Sequence, residues 1–311
     1  MNILFINPET PDTSWSFKHL TMMFSPKRAA TPPLTILTAA SMFPSEWEKK
    51  LVDLNIEKLR DRHLKWADYV FIYANSDQAE SADQLISMCQ HGGLRIMAGG
   101  AHFTKNFERY NHLDHLILNE LELTLPEFIK GYEANWPWRI YRTGEFADLR
   151  ISPVPDYNIL NKRKYLQLAI EYSRAYPMDG ENYERTKTPT QVILELDNIY
   201  RTGYRGSILF LINNLNNNTN KLKGNLLPAI LEWNKIHNKP FRFNTEVSSD
   251  ISDDKELMNM MREAGFVKVL IGPETSDDEL LYDCDKRFVI NRNLVLSITN
   301  IRNHGLEVSA G

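Results

Sequence analysis

The chain has 311 residues, 42% of them hydrophobic and 24% charged, with 36 Lys and Arg against 40 Asp and Glu for a formal net charge of -4. That length accommodates two domains, each with its own core, and the composition is that of a soluble globular protein. The basic residues are scattered rather than striped, which argues against nucleic acid as a partner, and no apolar run approaches the ~18 residues of a membrane span. The expected location is the cytoplasm. Cys89 and Cys284 are the only cysteines; far apart in sequence, they read as ordinary thiols of a reducing compartment rather than a disulfide.

Met1 to Pro8 has no basic lead-in and no small-residue cleavage site, so it reads as a first strand and not as a signal peptide. Short apolar runs then predict strands over Asn2–Asn7, Lys50–Leu54, Tyr69–Ala74, Arg95–Ala98 and His115–Leu118. Helical patterns fall over Pro33–Phe43, Gln78–Gln90 and Glu120–Tyr132. This alternation predicts an α/β fold, a parallel sheet with helices on both faces. Ligands of such sheets sit beyond the carboxyl ends of the strands. Here those ends gather small and polar residues: Pro8, Asn55, Ser76, Gly99, Gly100 and Glu120.

Trp136 to Pro155 reads as a connector, with Pro153-Val154-Pro155 favouring extended backbone. Beyond it the alternation restarts. Strands are predicted over Leu166–Tyr172, Ser207–Ile212, Arg242–Val247, Lys268–Gly272 and Glu307–Ala310. Helices are predicted over Pro189–Arg201, Lys221–His237, Asp253–Ala264 and Asn291–Asn303, with Pro189 in a first turn and Gly203, Gly265 and Gly305 at helix stops. Repeated βα units of this length suggest a partial (β/α) barrel. The chain stops inside a strand, an odd end for a complete barrel and one that leaves an edge open. The Asn213–Asn220 run reads as a solvated loop. His102, His112 and His115 match no zinc spacing.

Stretches along the whole chain resemble cobalamin-binding radical SAM proteins of the methyltransferase-like kind. They include Phe5-Ile6-Asn7-Pro8, Leu51-Val52-Asp53-Leu54-Asn55, Ala98-Gly99-Gly100, Asn244-Thr245-Glu246-Val247 and Ile271-Gly272-Pro273-Glu274-Thr275. The resemblance implies a flavodoxin-like (Rossmann-like) cobalamin domain over 1–145. A TIM-like partial barrel over 146–311, binding a [4Fe–4S] cluster and S-adenosylmethionine, would follow. On this reading Pro8, Asn55, Ser76, Gly99, Gly100 and Glu120 line a corrinoid pocket. Glu246, Gly272 and Glu274 would lie near S-adenosylmethionine, although each glutamate reads equally as an ion pair closing the barrel.

The departures are as informative. The family's Cys-x-x-x-Cys-x-x-Cys motif falls on Tyr176 and Gly180, with its third position at Tyr183 or in a shortened loop, and the chain's two cysteines cannot supply the thiolates of a cluster. The family's acidic pair after the second barrel strand is replaced by Ile212-Asn213, and its Asp-x-His-x-x-Gly loop by Asp53-Leu54-Asn55-Ile56-Glu57-Lys58, without the cobalt-ligating histidine. Because the cofactors carry the chemistry, the expectation is a relative without a cluster or radical activity, at most corrinoid-binding. Two alternatives stay open. One is methyl transfer from cobalamin or S-adenosylmethionine by non-radical chemistry. The other is a non-enzymatic partner of an intact paralogue, or self-association, through the open barrel edge.

Overall fold

Ile3, Leu4, Phe5 and Ile6 are all fully buried, although alternate residues of a strand point to opposite faces. A strand buried on both faces needs helices on both sides, and a computed structural model of the chain shows that arrangement. It describes residues 1–11, 27–178, 181–213, 215–271 and 293–310. They form two compact units, Met1–Leu166 and Gln167–Gly311.

In the first unit six parallel strands lie in the order β2-β1-β3-β4-β5-β6. They are β1 (Asn2–Asn7), β2 (Glu48–Asp53), β3 (Tyr69–Tyr73), β4 (Arg95–Gly99), β5 (His115–Ile117) and β6 (Ile140–Tyr141). The connecting helices are α1 (Leu34–Met42), α2 (Asp61–Trp66), α3 (Ala79–His91), α4 (Ala101–Lys105) and α5 (Leu121–Glu133). Strand alternation divides the core in two. Ile3, Phe5, Phe71, Met97 and Ile117 pack with Ile36 and Ala39 of α1 and with Leu125 and Phe128 of α5. Leu4, Ile6, Val70, Ile72, Ile96 and Leu116 pack with Leu85, Ile86 and Cys89 of α3.

The segment assigned to a connector is packed in this unit. It contributes β6, Leu149 and Tyr157 are fully buried, and the Asp156 backbone N–H donates to the Leu37 carbonyl (3.0 Å).

The second unit has a five-stranded parallel sheet in the order β13-β12-β11-β10-β7. Its strands are β7 (Leu168–Glu171), β10 (Ser207–Leu211), β11 (Arg242–Val247), β12 (Phe266–Ile271) and β13 (Glu307–Ala310). Helices α6 (Pro189–Arg201), α7 (Leu227–His237), α8 (Lys255–Glu263) and α9 (Leu294–Asn303) join them in turn. Strands that follow one another in sequence and in space, with right-handed crossovers, put every helix on one face. On that face Phe210, Phe243 and Phe266 form a ring cluster with centroids 5.1–5.5 Å apart. The sheet is an arc of a barrel, not a closed one. Local signals act as expected: Thr188 caps α6 by accepting from the Gln191 N–H (3.2 Å), and Gly265 closes α8 at φ +98°.

Between β7 and α6 stands an antiparallel hairpin, β8 (Ser173–Met178) with β9 (Glu181–Thr186), paired from Ser173↔Thr186 to Met178↔Glu181. The residues between its strands are Asp179-Gly180, the dipeptide that two-residue hairpins favour.

Candidate functional site

In the first unit the sheet order reverses between β1 and β3, so the crevice for a ligand lies at their carboxyl ends. Asp53, 1% exposed at the end of β2, is the hub there. Its Oδ1 accepts from the Asn7 amide (3.0 Å), the Asn55 backbone N–H (2.9 Å) and the Asn55 side-chain amide (2.8 Å), and its Oδ2 from the Tyr165 hydroxyl (2.8 Å). Burial, with Asp53 beside it, pushes the Tyr165 phenol far up. The structure brings Pro8 and Asn55 together. Asn55 Nδ2 also donates to the Pro8 carbonyl (3.1 Å), and Asn55 Oδ1 accepts from the Thr10 N–H (2.9 Å). The whole Asn55 amide is therefore committed within the protein.

Two residues of this network were not picked out from sequence. Tyr165 is one. Gln78 is the other: its Nε2 donates to the Pro8 carbonyl (2.7 Å) and its Oε1 accepts from the Asn75 N–H (2.9 Å). The signal was present, because Asn75-Ser76-Asp77-Gln78 has the spacing of a capping box.

Ser76 is exposed at the carboxyl end of β3, in a short turn after it, and Glu120 is half-buried just before α5. Gly99 and Gly100 answer to the fold itself. A Cβ on Gly99 would lie 2.8 Å from the Ile117 carbonyl oxygen, and one on Gly100 (φ +102°) would lie 2.4 Å from that of Ala74. The histidines are structural: His102 Nε2 meets the Tyr110 hydroxyl at 2.7 Å, and His115 Nδ1–H donates to the Trp138 carbonyl at 2.7 Å. Among the described residues no three His, Cys, Asp or Glu side chains converge as a metal site.

In the second unit the carboxyl ends of β7 and β10 carry a polar cluster built on the hairpin. The Ser173 hydroxyl donates to Glu184 Oε1 (2.6 Å) and accepts from the Asn213 N–H (2.9 Å), while Asn218 Nδ2 donates to the Asn213 carbonyl (3.2 Å). Burial pushes the Glu184 carboxyl up. Arg174 forms a bidentate pair with Glu171, at 3.1 and 2.7 Å. Behind these, Lys187 and Glu195 form an ion pair that is 2% and 1% exposed. Burial pushes Glu195 up to about 7 in spite of that lysine. Of these groups only Asn213 and the Asn run that holds Asn218 were singled out from sequence, and not as partners of Ser173.

Glu246 is exposed near the end of β11, on the sheet face opposite the phenylalanine cluster. Gly272, Glu274 and Gly180 lie outside the described residues. Tyr176 and Tyr183, at two of the family's cysteine positions, are direct cross-strand partners in the hairpin backbone.

No protein-family model matches the chain. Over 323 residues it is 34% identical to an uncharacterized methyltransferase of Synechocystis sp., covering all of this chain and 60% of that protein. It is 28% identical to the hopanoid C-2 methylase of Rhodopseudomonas palustris, over 99% of this chain and 61% of that one. The chain thus spans about 60% of the length of these relatives. Its fold matches the cobalamin-dependent S-adenosylmethionine radical enzyme OxsB, solved with aqua-cobalamin, at TM-score 0.71 and 17% identity, covering 100% of this chain and 49% of that one. It also matches the radical S-adenosylmethionine methyltransferase TsrM of Kitasatospora setae at TM-score 0.65 and 13% identity, covering 99% of this chain and 67% of that one. Over its whole length the chain is thus similar to a methyltransferase and a methylase, and its fold is that of these two solved enzymes.

The fit of each cofactor to this fold is a separate matter. The side chains do not fit a [4Fe–4S] cluster. The motif positions hold two tyrosines and a glycine, the two tyrosines are paired across antiparallel strands, and only two cysteines exist in the sequence. The first unit is the better candidate for a corrinoid: exposed Ser76, half-buried Glu120 and buried Gly99 and Gly100 all lie at the carboxyl ends of its strands. Asn55 occupies the place of the family's cobalt-ligating histidine, and its amide is already hydrogen-bonded. No described helix is long and apolar enough to cross a membrane.

Proposed function

We propose that this chain is a cluster-free member of the B12-binding, radical-SAM-like methyltransferase family, that it retains a corrinoid site in a 1–145 domain and that it has no radical activity. The carrying observation is the hairpin. Where the family's cysteine loop belongs, Tyr176 and Tyr183 pair across two antiparallel strands. Pro8, Asn55, Ser76, Gly99, Gly100 and Glu120 would hold the corrinoid from the carboxyl ends of the sheet. A bound corrinoid would supply methyl-carrying chemistry. The protein would supply position: the Asp53 network fixes the β1 and β2 ends, and the glycines keep the floor flat.

A second reading is methyl transfer from S-adenosylmethionine by polar chemistry in the 146–311 domain. The exposed Glu246 carboxylate at the end of β11 favours it, together with Gly272 and Glu274 at the end of the next predicted strand.

Anaerobic purification, reconstitution with iron, sulfide and hydroxocobalamin, and an ultraviolet–visible spectrum with metal analysis test the proposal. Stoichiometric corrinoid bands without iron or sulfide are expected. Stoichiometric iron and sulfide with broad absorption near ~400 nm would overturn the cluster-free reading.

A further inference from the structure

Three features meet at the β6 edge of the first unit's sheet. One is a pair of indoles: Trp136 and Trp138 are 76% and 64% exposed. The backbone beneath them is fixed. Trp136 N–H donates to the Gly131 carbonyl (2.8 Å) and Trp138 N–H to the Tyr141 hydroxyl (2.6 Å), while the Trp138 carbonyl accepts from His115 Nδ1–H (2.7 Å). The Trp138 ring stacks on that of Tyr141, with centroids 6.1 Å apart. Large apolar rings left in water cost free energy, and rings held on a fixed backbone meet a partner with little further ordering.

Another feature is an open strand edge. β6 is the last strand of its sheet. The Leu116 and Leu118 N–H groups donate to the carbonyls of Arg139 (2.7 Å) and Tyr141 (2.9 Å). Ile140, between those two, therefore turns its own N–H and C=O outward, away from β5. Outward groups of this kind are a template for an added strand.

Charge is the last. Trp136 to Arg142 holds two arginines and no acidic residue, and both arginines are exposed. Arg139 donates to the Asn111 carbonyl (3.1 Å) and Arg142 lies 5.3 Å from the centroid of the Phe107 ring, so both guanidinium groups are positioned by contacts that leave their charge unanswered. Arginines on an edge discourage a basic strand and favour an acidic one. Tryptophan and arginine are also the side chains that most often anchor protein interfaces.

We propose that the β6 edge docks an extended, acidic segment of a partner protein. The segment pairs its backbone with Ile140, lays apolar side chains over Trp136 and Trp138, and sets carboxylates against Arg139 and Arg142. No residue of the corrinoid or S-adenosylmethionine readings takes part, so the surface stands or falls apart from them.

The test is fluorescence anisotropy of a labelled peptide of alternating glutamate and valine, titrated with the full chain, with W136A and with R139E/R142E. Thermal melts establish that each variant is folded, and a peptide with lysine in place of glutamate is the control. The wild type is expected to bind the acidic peptide saturably and the lysine peptide not at all. W136A should weaken that binding about ten-fold, and R139E/R142E should exchange it for the lysine peptide. Absent binding of the acidic peptide, equal binding of the two, or undiminished binding by folded W136A overturns the proposal. Sedimentation of the chain alone and with phosphatidylcholine vesicles checks the other occupants of such a surface. Dimers or vesicle binding that disappear in W136A would assign the edge to a second copy or to a lipid surface, and would overturn it as well.

Discussion

At the carboxyl end of the first unit's sheet, Asp53, Asn55 and Gln78 are buried or nearly so, and each has donors and acceptors matched within the protein. In the second unit, Glu195 and Asn198 of helix α6 each keep a buried side-chain oxygen without a donor. Among the described residues of the first unit no buried side-chain atom is left in that state. Unsatisfied buried groups cost stability and are retained where something else requires them. The first unit's polar groups are thus matched among themselves, while the second unit buries carboxylates that burial pushes up.

The largest expected effect breaks the Lys187–Glu195 pair. Lys187→Met leaves the Glu195 carboxylate buried without a counter-charge, and where that carboxylate is ionised the loss is about 3–5 kcal/mol for such pairs. The penalty also depends on pH. Glu195 is raised in the fold, so its contribution is fully present below ~4.5 and is lost as pH rises through about 7. The wild-type second unit should become less stable between those values. Lys187→Met should differ little from wild type at pH 5, where Glu195 is neutral, and strongly at pH 8, in urea titrations followed by tryptophan fluorescence. A penalty that is the same at both values would mean that the pair is not titrating. Replacing both residues with apolar ones of similar volume should restore most of the loss.

In the first unit, Tyr165→Phe removes the donor on Asp53 Oδ2 while keeping the ring. About 1.5–3 kcal/mol is expected for a hydrogen bond to a carboxylate. A negligible change would mean that the network is redundant, and the contrast between the two sheets would weaken.

A smaller effect of opposite sign is expected from E184Q. Glu184 is also raised by burial, so its charged form disfavours the fold, and that disadvantage grows as pH rises above ~4.5. The neutral amide should therefore leave the chain as stable as wild type, or more so, at pH 8. A clear destabilisation in thermal melts at that pH would mean that the fold requires the Glu184 charge.

The contrast also explains what could be read from sequence. Asn2–Asn7, Arg242–Val247 and Glu307–Ala310 were located to the residue, because buried parallel strands are short, apolar runs bounded by polar ends. The hairpin was not foreseen. Its strands hold Arg174, Glu184 and Arg185, which show no apolar alternation, and the segment drew notice only as a loop that had lost its cysteines. Asp179-Gly180 was the local cue to it. Strand β6 has only two residues, too few for any periodicity. At the site, Pro8 and Asn55 were legible because ligand ends of such sheets are predictable. Asp53 and Tyr165 are 112 positions apart, and no local pattern couples them.

Ser76→Ala tests the same contrast from its other side. Ser76 is exposed and lies outside the buried network beneath it. A platform already satisfied within itself should lose no more than about 0.5 kcal/mol from such a change. If the corrinoid rests on this end of the sheet, the same substitution should weaken hydroxocobalamin binding a few-fold, as for one neutral hydrogen bond. Spectral titration of the two proteins separates the outcomes. Weaker binding with unchanged melting places the ligand over β3. Unchanged binding with unchanged melting moves it off this crevice, and the first unit's polar network is then a feature of folding alone.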